Sequence, residues 1–132
     1  MELDSIDFQY SMENLPVKII GSHGSPYSMK MLAVLRYKRI TFQWILRGSK
    51  DDPNPDIPVN LIPIIIFPGK DGSYSEATID SSPLIRTLDN MYPNRRVTPV
   101  DPVLDLIDTL IEDFGDEWVT KMMFHYRWTY EE

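Results

Sequence analysis

The chain has 132 residues, 42% of them hydrophobic and 25% charged, with a net charge of −7. This is the size of one ordinary domain, or of a small domain with part of another, and the composition of a folded soluble chain. The negative charge disfavours nucleic acid, no apolar run approaches the roughly 20 residues of a membrane helix, and a start bearing Glu2, Asp4 and Asp7 does not resemble a secretory signal, so a cytoplasmic protein with no nucleic-acid or membrane partner is expected.

The chain contains no cysteine, hence no disulfide, thiolate ligand or thiol nucleophile of its own, and His23 and His125 lack ligand spacing, so no metal is expected. Charge is unevenly spread. Residues 14–50 hold Lys18, Lys30, Arg36, Lys38, Arg39, Arg47 and Lys50 and no acid. That segment reads either as a solvated basic face or as a mild attraction for a small anion.

Residues 1–16 read as an acidic leader closed by Pro16. Val17 to Ile20, ended by Gly21, is a short buried strand. After the turn Gly21-Ser22-His23-Gly24-Ser25, Pro26 suits the first helical position, where its missing N–H costs nothing. Met29, Leu32, Ala33, Leu35 and Arg36 then recur at helical spacing as far as Tyr37. Ile40 to Leu46 is a second strand, Arg47 to Val59 a polar, proline-rich loop, and Ile64 to Phe67 a third strand apolar enough to be buried on both faces. Gly69 to Gly72 is a hairpin turn leading into a fourth strand, Ser73 to Ser75. Ser82 as N-cap opens a helix from Pro83 to Met91.

From Asp101 the pattern becomes one long amphipathic helix. Leu104, Ile107, Leu110, Ile111, Phe114, Trp118 and Met122 form an apolar stripe, and Asp105, Asp108, Glu112, Asp113, Asp116 and Glu117 a solvated acidic face. Pro99, Asp101 and Pro102 make a linker before it.

The order β-α-β, long loop, β-β-α fits the thioredoxin topology, one of several α/β arrangements that periodicity alone allows. Three separated motifs resemble the N-terminal domain of the glutathione transferase superfamily. Ser25-Pro26-Tyr27-Ser28 lies between the first strand and first helix. Leu61-Ile62-Pro63-Ile64 is similar to the family's hydrophobic–cis-proline step into the third strand. Asp80-Ser81 precedes a helix ending Thr87-Leu88-Asp89-Asn90-Met91-Tyr92-Pro93, similar to the family's acidic- or Gln-Ser pair and its Tyr-Leu-Asp ending.

The resemblance implies an α/β fold, a thioredoxin-like βαβ-ββα domain followed by a truncated all-helical segment. It divides the chain into the leader 1–16, a glutathione-binding domain 17–95, a linker 96–102, and an incomplete helical domain 103–132. It further implies a serine-type transferase with glutathione as cosubstrate, no metal, an electrophilic small molecule as second substrate, and a homodimer. A non-catalytic glutathione transferase-like dimerisation or binding module is the alternative.

By the same resemblance Ser25 is the catalytic residue and Ile62, Pro63, Asp80 and Ser81 bind glutathione. An ordinary thiol ionises near pH 8.5, and bringing it down about two units takes about 2.7 kcal/mol. A hydroxyl hydrogen bond to a charged acceptor supplies about 1.5 to 3 kcal/mol and a helix N-terminus about 0.3 to 1 kcal/mol, within reach of a serine at a helix start. A cis proline turns the Ile62 main chain toward an extended peptide, Ser81 at a helix start suits the γ-glutamyl carboxylate, and Asp80 suits the glutamyl ammonium. Ser28 reads as a first-turn residue without chemistry. His23 and Ser25, lacking a third partner, do not make a hydrolase dyad.

Overall fold

The computed structural model describes residues 15–74 and 76–130, so the leader assigned to 1–16 falls almost wholly outside the described residues. The chain divides into two units, Met1–Val97 and Thr98–Glu132.

The first unit is built on a four-stranded sheet of order β2-β1-β3-β4, with β1 Val17–Gly21, β2 Phe42–Leu46, β3 Ile64–Ile66 and β4 Ala77–Thr78. β1 runs parallel to β2, from Val17 opposite Phe42 to Gly21 opposite Leu46, and antiparallel to β3, with Ile20 opposite Ile64. β4 is antiparallel to β3. Helices α1 Pro26–Lys38 and α2 Ser81–Met91 complete the unit. It is the expected α/β, thioredoxin-like arrangement.

The pleat divides the sheet residues between two cores. Val17, Ile19 and Ile65 pack with Met31, Leu32, Val34 and Leu35 of α1 and Leu84, Ile85 and Leu88 of α2. Ile20, Ile45, Ile64 and Ile66 face the other way, against Ile57, Tyr74, Ala77 and Ile79. All three residues of β3 are buried, which is why its sequence shows no alternation.

Several sequence-derived boundaries shift for identifiable reasons. The buried positions of α1 are Ser28, Met31, Leu32, Val34, Leu35 and Lys38, whereas Ala33 and Arg36 of the expected stripe are exposed. The second strand starts at Phe42 rather than Ile40, because Arg39 takes the left-handed conformation (φ 59°) and its N–H and that of Ile40 close the helix on the carbonyls of Arg36 and Leu35. Strand β4 is Ala77–Thr78, not Ser73–Ser75 (Ser75 lies outside the described residues). Pro68 offers no N–H to a ladder, and the chain turns instead through Gly69 N–H to Ser73 C=O (2.8 Å) and Gly72 N–H to Gly69 C=O (3.0 Å). Helix α2 begins at Ser81 and is capped by Asp80, not Ser82.

The second unit is helical: α3 Pro102–Asp113, a π-helical segment Phe114–Val119, and α4 Thr120–Trp128. Asp101, expected in the linker, is the N-cap of α3, accepting from the N–H groups of Val103 (2.9 Å) and Leu104 (3.0 Å). The widened turn holds Gly115, whose carbonyl accepts the Thr120 hydroxyl. The stripe residues Leu104, Ile107, Leu110, Ile111, Phe114, Trp118 and Met122 are 47–66% exposed. No helix is long and apolar enough to cross a membrane among the described residues.

Candidate functional site

The strand registers place the three motifs. β1 leads out through Gly21 into the turn that ends at Ser25. Because Ile20 stands opposite Ile64, the Ile62–Pro63 step lies at that same end of the sheet, and its peptide bond is cis. β4 pairs Thr78 with Ile65, and the register carried on sets Asp80 level with Pro63. Ser25, Ile62, Pro63, Asp80 and Ser81, far apart in sequence, thus gather at one end of the sheet, where α1 and α2 both begin.

Ser25 is the N-cap of α1, with Oγ accepting from the Ser28 N–H at 3.2 Å. A capping hydroxyl uses an acceptor lone pair, so its own proton remains available to donate. Ser28, which sequence left without a task, is fully buried and accepts the Ser22 N–H at 3.3 Å, fixing the turn that carries Ser25. This is possible only beside a glycine. A Cβ at Gly21 would stand 2.5 Å from Ser28 Oγ and 2.8 Å from the Trp44 ring. The His23 ring lies against Trp44, 5.5 Å between centroids, and no hydrogen bond joins it to Ser25.

At the start of α2, the Asp80 carboxylate accepts from Ser82 N–H at 3.3 Å while its backbone holds φ 77°, ψ 111°, outside the regions that L-residues favour. Ser81 is 5% exposed, and the Lys30 ammonium of α1 donates to its hydroxyl at 3.1 Å. Eight residues further along both helices Lys38 meets Asp89, so α1 and α2 run side by side with the same offset of 51 residues at both links. Parallel helices in register bring two positive dipole ends to one pole.

The loop from Arg47 to Val59, read from sequence only as polar and proline-rich, is organised by Asp52. Its carboxylate accepts from the N–H groups of Gly48 and Asn54, both at 2.8 Å, and from Arg47, whose other nitrogen reaches Asn60. Burial pushes this carboxyl up, but the two N–H groups and the Arg47 guanidinium outweigh it and hold the group below the usual carboxylate range. The Arg47 N–H bonds to Gly21 C=O at 2.8 Å, so the loop departs from the same end of the sheet. Nothing in a single sequence marks Asp52 apart from its neighbour Asp51.

Residues 19–96 match the family model for the glutathione S-transferase N-terminal domain. The chain belongs to the glutathione S-transferase family. Among solved glutathione S-transferase structures, it is similar to an omega 1C enzyme from Trametes versicolor (15% identity, TM-score 0.67, covering 84% of this chain and 51% of that one). It is likewise similar to a tau-class enzyme from mango, Mangifera indica (21%, 0.64, 89% and 52%). A third, from Methylobacillus flagellatus with GSH bound, shares 29% identity at a TM-score of 0.61, covering 76% of this chain and 48% of that one. The chain therefore spans about half the length of these glutathione S-transferases. No curated protein sequence matches it significantly.

Proposed function

We propose that residues 17–95 of this glutathione S-transferase-family chain bind glutathione, and that Ser25 activates its thiol for conjugation or thiol transfer to an electrophilic small molecule. The observation that carries this reading is the gathering of Ser25, Ile62–Pro63 and Asp80–Ser81 at the end of the sheet where both helices start. The glutathione-bound Methylobacillus flagellatus structure, at 29% identity, supports it.

In this reading Ser25 donates its hydroxyl proton to the thiolate while its oxygen continues to cap α1, so one side chain holds the helix end and the sulfur together. Ile62 offers main-chain groups to the cysteinyl unit, Pro63 shapes that segment, Ser81 takes the γ-glutamyl carboxylate and Asp80 its ammonium. Ser25 acts by stabilising charge and not as a nucleophile. Ultraviolet titration of the bound thiolate in the wild-type chain and in Ser25→Ala tests it. The variant is expected to shift ionisation of bound glutathione to higher pH while its affinity changes far less. An unchanged titration would remove Ser25 from this role.

We also propose a homodimer. The seven stripe residues of the second unit are all about half exposed or more, and covering one such side chain fully contributes about 1.5 to 3 kcal/mol. Analytical ultracentrifugation at micromolar concentration is expected to show a dimer that Trp118→Glu weakens. A monomer across that range would exclude it.

A further inference from the structure

Ser25 ends a tight turn, and two aromatic side chains bear on that turn from outside its hydrogen bonds. Ser22 C=O accepts the Ser25 N–H at 3.1 Å, which makes His23 and Gly24 the central pair of a four-residue turn. The Trp44 ring rises from β2 on the helix-covered side of the sheet and packs with the core that contains Ile19, its partner in register. Its Cη2 atom would stand 2.8 Å from a Cβ placed on Gly21, the residue before the turn. Its ring lies 5.5 Å from that of His23, between centroids, within the range of about 4.5 to 7 Å at which aromatic rings attract. Trp44 thus meets the chain on both sides of Ser22.

The indole carries a penalty that its position must offset. Trp44 Nε1 is buried and has no hydrogen-bond partner among the described residues, a loss that phenylalanine would avoid. What a smaller ring lacks is reach, since Cη2, the atom against Gly21, is the outermost of the indole. We propose that Trp44 and His23 are positioning residues, which clamp the turn and so hold the Ser25 hydroxyl where the thiol needs it. This rests on the thiol-activating reading of Ser25 given above and adds to it two side chains that do not touch the sulfur. A displacement of about 1 Å that originates away from the reacting atoms can lower a rate about 100-fold, so a wedge beneath a four-residue turn is enough to matter.

Ultraviolet titration of glutathione bound to the full chain tests this, with thermal melts of the same proteins. Trp44→Phe removes the stranded N–H, so it should melt close to the wild-type chain and yet shift thiol ionisation upward by about half a pH unit or more. His23→Ala, at an exposed turn position, should shift ionisation the same way without changing the melt. His23→Phe keeps a ring against Trp44 and should restore the wild-type titration. Wild-type titration in Trp44→Phe or in His23→Ala, beside a shifted Ser25→Ala, overturns the clamp and leaves the Ser25 reading standing. A His23→Phe protein shifted as far as His23→Ala overturns it too, because the imidazole and not the ring contact is then at work. If Trp44→Phe does not fold, the two His23 variants decide alone. An unshifted Ser25→Ala, or a wild-type chain that binds no glutathione, overturns both readings.

Discussion

Lys38 and Asp89 form an ion pair 2.6 Å long between the last turn of α1 and the end of α2, with side chains 0% and 1% exposed. Lys38 also donates to the carbonyls of Tyr92 (2.8 Å) and Arg95 (3.4 Å), and Asp89 accepts the Val97 N–H (3.0 Å). The pair thus satisfies main-chain groups of the segment leaving α2 as well as each other. Removing one partner strands the other charge in the core, so Lys38→Met is expected to lower stability by about 3 to 5 kcal/mol. Combining it with Asp89→Leu should cost less than the sum of the two single changes. Urea denaturation midpoints of the four proteins check both statements.

Asp80 offers a sharper test, because its two properties oppose each other. Its carboxylate caps α2, and its positive φ strains its backbone. Asp80→Ala forfeits the cap and keeps the strain, for an expected loss of about 1 kcal/mol or more. Asp80→Gly forfeits the same cap but relieves the strain, and should lie within a few tenths of a kcal/mol of wild type. Thermal melts rank the three, and an alanine variant as stable as the glycine one would contradict the strained assignment.

The loop carboxylate Asp52 gives the stability curve a pH signature. Its folded pKa lies below its unfolded value of about 3.9, so the folded state binds the proton less readily. Its contribution is present above about pH 4 and is lost as pH falls through the folded value. Asp52→Asn should therefore be less stable than wild type at neutral pH, with the difference shrinking below about pH 4. Denaturation midpoints at pH 6 and pH 3 are the measurement; a difference that grows on acidification has the wrong sign.

Much of this was legible in the sequence because it is local. The order of strands and helices follows from apolar runs and turn residues, and Ser25 before Pro26 announces the first helix start. What escaped is what depends on distant partners. Lys38 reads as one more surface cation of a basic segment, since Asp89, which buries it, is 51 residues away. Asp80 and Ser82 are equally good capping residues, and only the path out of β4 decides between them. Asp101 between two prolines looks like a linker until the N–H groups of Val103 and Leu104 are seen pointing at it. The candidate site was legible as three motifs, and the contact of Lys30 with Ser81, 51 residues away, was not.

The strand order carries a consequence for the chain during synthesis. β1 is among the first described residues to leave the ribosome, yet it is an inner strand of the sheet. It finds β2 once residue 46 has been made, waits for residue 66 to be joined by β3, and only residues 89 to 97 bring the carboxylate and main-chain groups that close over Lys38. At about 5 to 20 residues per second the interval between the first pairing and the last closure is a few seconds. Until residue 66 is made the β1–α1–β2 unit has an unpaired β1 edge, and until residue 89 an uncompensated lysine at the end of its helix, so it is the nascent chain, more than the finished one, that stands to gain from a chaperone.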